Sequence, residues 1–82
     1  MKLLLTNDDG IDAPGLEVLE QAVREWGDVI VIAPADGRSG VGHQVTTDRP
    51  IPVERIDTER YSVQGSPADC VRIGLTWIAP DA

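Results

Sequence analysis

The chain has 82 residues, with 14 acidic against seven basic side chains, a formal net charge of -7, 41% hydrophobic residues and one cysteine. At this length it forms one domain at most, and surface-to-volume scaling lets it bury roughly 60–65% of its unfolded surface, too little for two layers of helix around a wide sheet. The acidic balance argues against a nucleic-acid polymer as partner, the lone Cys70 excludes an internal disulfide and fits a reducing, cytoplasmic setting, and no apolar run has the length of a signal-peptide core or a membrane span.

Taken in order, Leu3-Leu4-Leu5 reads as a strand buried on both faces, running into the polar cluster Thr6-Asn7-Asp8-Asp9-Gly10. A helix follows, with Pro14 at its first position, Asp12 as the expected cap, and Leu16, Leu19, Val23 and Trp26 as an apolar stripe opposite Glu17, Glu20, Gln21 and Arg24. Gly27 stops it, and Val29-Ile30-Val31-Ile32-Ala33 is a second β-branched run, completing a βαβ unit. Pro34 ends that strand and opens the glycine-rich stretch Ala35 to His43, which leaves the same sheet edge as the Asp8-Asp9 loop because parallel strands share a direction. Short strands are expected at 44–47, 52–56 and 60–63, as edge strands or hairpin arms given Pro50 and Pro52.

Gly65-Ser66-Pro67-Ala68-Asp69 is a helix start with Ser66 and Asp69 as a capping box, and Val71, Leu75 and Ile78 mark the expected apolar face beside Cys70 and Gly74. Pro80 closes that helix, and a third parallel strand is expected where the chain stops at Ala82. The fold class read from this pattern is α/β, a Rossmann-like three-layer parallel sheet with a β-hairpin extension, truncated before its third parallel strand. Residues 1–82 then form part of a single domain that is completed by further chain or by association.

Open α/β sheets bind ligands beyond the carboxyl ends of their strands, where Asp8 and Asp9 fall. Asp9-Gly10 is equally a plain turn with Asn7 or Asp8 capping local backbone. Two acids and the Ser39 hydroxyl from the neighbouring loop make an all-oxygen set suited to one Mg²⁺ or Mn²⁺, and such an ion suits phosphate-ester hydrolysis because it screens the phosphate oxygens and polarises phosphorus. Ser39-Gly40-Val41-Gly42 can cradle a phosphate through backbone N–H groups, and His43 can donate to it; the plain alternatives are a flexible loop and a hydrogen-bonded loop histidine. Cys70 reads as a small core residue, and Trp26 and Trp77 as packing residues, with Trp77 a candidate subunit contact.

Leu4 to Ile11 with Gly15-Leu16, then Ala33-Pro34, Ser39 to His43 and Gly65 to Val71, four motifs in order at fitting spacings, resemble the amino-terminal part of the SurE family of survival-protein nucleotidases. The resemblance implies a divalent-metal-dependent phosphatase acting on nucleoside 5′-monophosphates, in some members also on 3′-monophosphates or polyphosphate, and assembled as a homo-oligomer, dimer or tetramer. It places Asp8, Asp9 and Ser39 as metal ligands and Asn7, Gly40 and His43 in the surrounding pocket. Family members usually carry Thr at the position of Ser66, and their next motif, beginning Pro-Asp, supplies an asparagine ligand after a further strand. Two other classes compete: a receiver-type signalling domain, which lacks here any lysine beyond Lys2, and a non-catalytic oligomerising chain whose metal site does not close. A dinucleotide-binding reading fails because acids stand where a pyrophosphate would sit.

Overall fold

A computed structural model describes residues 2–36 and 50–82 of the chain. The three leucines form β1 (Lys2–Leu5), which pairs in parallel with β2 (Asp28–Pro34), setting Leu3 beside Val29, Leu4 beside Ile30 and Leu5 beside Val31. Side chains alternate across a strand, so each run feeds two cores. Leu3, Leu5, Val29, Val31 and Ala33 pack with Ile11, Leu16 and Val23 under α1 (Pro14–Val23). Leu4, Ile30 and Ile32 pack on the other face with Val63, Cys70 and Ala79, under α2 (Pro67–Ile73) and the turn that follows it. One helix per face makes three layers, which is how a short chain covers both sides of a narrow sheet.

The sheet order is β1-β2-β4-β3, where β3 (Val53–Asp57) and β4 (Arg60–Val63) form an antiparallel hairpin and β4 runs parallel to β2. The three-layer α/β class with a hairpin stands as read from the sequence, with one amendment. The described residues already hold a third parallel strand, β4, paired with β2. The physical reason lies in the prolines. Pro50 and Pro52 precede β3, whereas β4 contains none and can hydrogen-bond on both sides. β3 is exposed along its length and carries Glu54, Arg55 and Asp57, charges that blunt a free edge. β1 is half-buried because, among the described residues, its outer edge has no neighbour.

The α1 face is the expected one at Leu16 and Val23 and departs from it at Leu19 and Trp26, while the α2 face is turned by one position. Along α1, Leu16 and Glu20 are buried and Val23 is half-buried, whereas Leu19 lies on the flank and Trp26 is 68% exposed. A tighter 3₁₀ turn over Arg24–Trp26 rotates Trp26 off the stripe. Glu20 is tolerated inside because Arg24 pairs with it, and Arg24 Nη1 also donates to Glu59 Oε2 at 2.9 Å, tying the helix end to the hairpin turn. The expected Asp12 cap is absent: Ala13 occupies the cap position in an extended conformation with no side-chain bond, and Pro14 supplies the helical φ.

Along α2 the buried line is Cys70, Gly74 and Ala79, flanked by half-buried Ile73 and Ile78, while Val71 and Leu75 face outward. Gly74 sets this. A Cβ added there would stand 2.8 Å from Ile32 Cδ1 and 3.0 Å from Leu4 Cδ2, so the helix seats on the sheet along its glycine. The chain then widens over Gly74–Ile78, where the Ala79 N–H donates to the Gly74 carbonyl at 2.7 Å, five residues back. The expected capping box is present in full: Asp69 N–H donates to Ser66 Oγ at 3.1 Å and Ser66 N–H to Asp69 Oδ2 at 2.9 Å.

Candidate functional site

β1, β2 and β4 are mutually parallel and end at Leu5, Pro34 and Val63, so the loops after them leave one edge of the sheet. Backbone bonds knit that edge together. The Ala35 N–H donates to the Val63 carbonyl at 2.8 Å and the Ile11 N–H to the Pro34 carbonyl at 2.7 Å.

The Asp8-Asp9 loop is built from its own side chains. The Asn7 amide clasps Gly10 twice, donating from Nδ2 to the Gly10 carbonyl at 2.9 Å and accepting the Gly10 N–H on Oδ1 at 3.2 Å. Closing so short a ring needs a left-handed residue, and Gly10 has φ 112°. Asp8 and Asp9 stand between the clasped residues with both side chains exposed, while Gly10 and Ile11 behind them are buried. Ile11 anchors the loop in the α1-side core. The turn reading is realised, with Asn7 closing the stretch on Gly10, and the two carboxylates take no part in that closure.

Ser39, Gly40, Gly42 and His43, the other expected site residues, lie outside the described residues, as does the expected strand at 44–47. Asp8, Asp9 and Asn7 are therefore the predicted site residues that the structure places, together on one loop. Among the described residues, no three His, Cys, Asp or Glu side chains converge as a metal cluster. The oxygen donors at the edge nonetheless suit a hard divalent ion: two exposed, adjacent carboxylates on a loop whose backbone is pinned behind them.

Two features of the edge were invisible in the sequence. Arg60, the first residue of β4, sends Nη2 to the Ile11 carbonyl at 3.2 Å across a separation of 49 residues. Thr6, directly after β1, has its Oγ1 buried beside the Cys70 thiol. It acts on Cys70: burial pushes that thiol up to about 11, with the nearby Asp69 carboxylate adding to the rise and the Thr6 hydroxyl opposing it. Cys70 is therefore a protonated core residue at neutral pH, as its sequence setting indicated, and not a nucleophile.

A cleft of about 300 Å³ lies at the ends of β2 and β4, lined by Ala35, Ser62 and Gln64 with Pro52, Val53 and Glu54. A larger one, about 410 Å³, separates α1 from the hairpin and mixes Glu17, Glu20 and Glu59 with Arg24 and Arg60; neither Asp8 nor Asp9 lines it. No helix among the described residues is long and apolar enough to cross a membrane.

Comparison with known proteins agrees with this architecture. A protein of Nostoc sp. (strain PCC 7120) is 54% identical over 81 residues, covering 99% of this chain and 35% of its own length. The 5′-nucleotidase SurE of Erythrobacter litoralis is 49% identical over 82 residues, covering 99% of this chain and 32% of its own length. The crystal structure of the SurE protein from Aquifex aeolicus superposes with a TM-score of 0.93 at 42% identity, over 100% of this chain and 34% of that one. The chain thus spans about a third of the length of the curated relatives it matches. The family model described as survival protein SurE matches residues 3–82, and the chain belongs to the SurE family.

Proposed function

We propose that the protein to which these residues belong is a divalent-metal-dependent phosphomonoesterase that hydrolyses nucleoside 5′-monophosphates. The observation that carries this reading is the pair of exposed carboxylates, Asp8 and Asp9, on a clasped loop at the carboxyl edge of a parallel sheet, in a chain 49% identical to a protein named 5′-nucleotidase SurE. Asp8 and Asp9 would hold one Mg²⁺ or Mn²⁺ together with Ser39. When bound, the ion would screen the phosphate oxygens and polarise phosphorus.

The chain's own residues divide the remaining work. Asn7 and Gly10 keep the two carboxylates on a defined loop, and Ile11 fixes that loop to the core. Ser39, Gly40, Gly42 and His43, which follow β2 in the sequence, would hold the phosphate by backbone N–H groups and a side-chain donor. Activity on 3′-monophosphates or polyphosphate, assembly as a homo-oligomer and a cytoplasmic setting belong to the same proposal. The lone cysteine, buried as a thiol, fits a reducing compartment.

The test is phosphate release from AMP with Mn²⁺, with an EDTA control, by the 82-residue chain and by the intact protein. Asp8→Asn is expected to abolish metal-dependent turnover in whichever form is active, and unchanged turnover would overturn the site assignment. One observation favours a second reading, that these residues alone form a non-catalytic unit: they span about a third of the relatives' length. Activity confined to the intact protein would support it for the 82-residue chain.

A further inference from the structure

We propose that Arg60 is a positioning residue for the Asp8-Asp9 loop, its guanidinium clamping the Ile11 carbonyl so that both carboxylates are presented to a divalent cation. The proposal rests on the reading of Asp8 and Asp9 as the cation site. Its geometry begins with strand register. Arg60 pairs with Val31, well inside the sheet, and Tyr61 and Val63 turn toward α2. Alternation sends Arg60 and Ser62 to the α1 face, the face on which Ile11 is buried.

From there Arg60 Nη2 reaches the Ile11 carbonyl at 3.2 Å. The Ile11 N–H is already held by the Pro34 carbonyl at 2.7 Å. Ile11 is therefore gripped at its N–H from β2 and at its C=O from β4, one residue after the clasped turn that carries the carboxylates. Gly10, with φ 112° and no Cβ, is clasped by Asn7 at both its N–H and its C=O, and Arg60 extends that hold to the next carbonyl, that of Ile11, where the loop enters the core.

The setting of Arg60 argues against a plain stabilising role. The side chain is half-buried, and among the described residues its buried Nε has no hydrogen-bond partner and no carboxylate lies within ion-pair distance of it. A partly desolvated cation with one neutral acceptor is poor for stability compared with an apolar side chain of similar shape. Its reach to a single carbonyl beside the paired acids is the contact that accounts for its place.

The test uses the intact protein as wild type, Arg60→Ala, Arg60→Lys and Asp8→Asn. Amide hydrogen exchange is measured without metal, and Mn²⁺ affinity is measured with the metal alone. In Arg60→Ala the Gly10 and Ile11 amides are expected to exchange about tenfold faster, the size of one hydrogen bond from a charged donor, while the Cys70 and Ala79 amides keep wild-type rates. Mn²⁺ binding weakens about tenfold in the same variant, as for other residues that orient ligands from behind. Arg60→Lys, which keeps the charge and one donor, restores part of both.

Unchanged exchange at Gly10 and Ile11 would overturn the proposal, and so would equal acceleration at all four amides, the mark of a general loss of stability. If the wild-type protein takes up no Mn²⁺, the cation site itself fails. The exchange arm then still decides whether Arg60 clamps the loop.

Discussion

Asn7 shows how one side chain can be read two ways until its bonds are seen. The resemblance put it in the substrate pocket, whereas in the structure both of its amide atoms are taken up with Gly10, at 2.9 and 3.2 Å. Replacing it by alanine removes both bonds and is expected to lower the unfolding free energy by roughly 1–3 kcal/mol. Mn²⁺ affinity should fall with it, while KM for AMP at saturating metal stays near the wild-type value. A raised KM at unchanged stability would assign Asn7 to the substrate instead. Asn7→Asp separates the two bonds, since it keeps the acceptor for the Gly10 N–H and loses the donor. What the sequence showed of Asp8 and Asp9 was their place, two residues past the first apolar run, and there both side chains are exposed. Arg60 was not legible, because nothing in a one-dimensional pattern links it to a carbonyl 49 residues away.

At the scale of elements, one of the two expected helix caps formed as read, and so did part of each helix face. The Ser66 and Asp69 box is local, satisfied within one turn, and formed as read. Which side of a helix is buried depends on what lies beneath it, and Gly74 decided this for α2 by allowing close approach to Ile32 and Leu4. Gly74→Val is therefore expected to cost roughly 1–3 kcal/mol by overpacking, read as a lower urea midpoint. Leu75→Ser, on the face that periodicity favoured and that proves 44% exposed, should change stability by less than about 1 kcal/mol. A reversed order of the two costs would return the buried face to Val71 and Leu75. For β4 the short strand at 60–63 was read correctly and its neighbour β2 was not, because strand order is set by which edges pair, a non-local choice.

For the whole molecule, the buried thiol makes stability respond to alkaline pH. Cys70 has an ordinary value of 9.0 and is pushed up to about 11 in the fold, chiefly by burial. The folded state's preference for the protonated thiol is fully present below pH 9 and is lost progressively as pH rises from 9 to about 11, because the unfolded chain releases the proton first. Near pH 10.5 this lowers the unfolding free energy by about 2 kcal/mol relative to pH 8. Chemical unfolding of the wild type and Cys70→Ala at the two values checks it: the variant should show a pH dependence smaller by that amount, and equal dependence would remove Cys70 as the cause. The alternation of apolar and polar residues, the turn and cap residues and the paired acids after β1 were determined by the sequence itself, since each acts within a few positions of its neighbours. Which residues of α1 and α2 are buried, the place of β4 beside β2, the taking up of Asn7 by Gly10 and the reach of Arg60 to Ile11 were decided only by tertiary structure. Each depends on groups brought together by sheet pairing and close packing, distances that spacing along the chain does not encode.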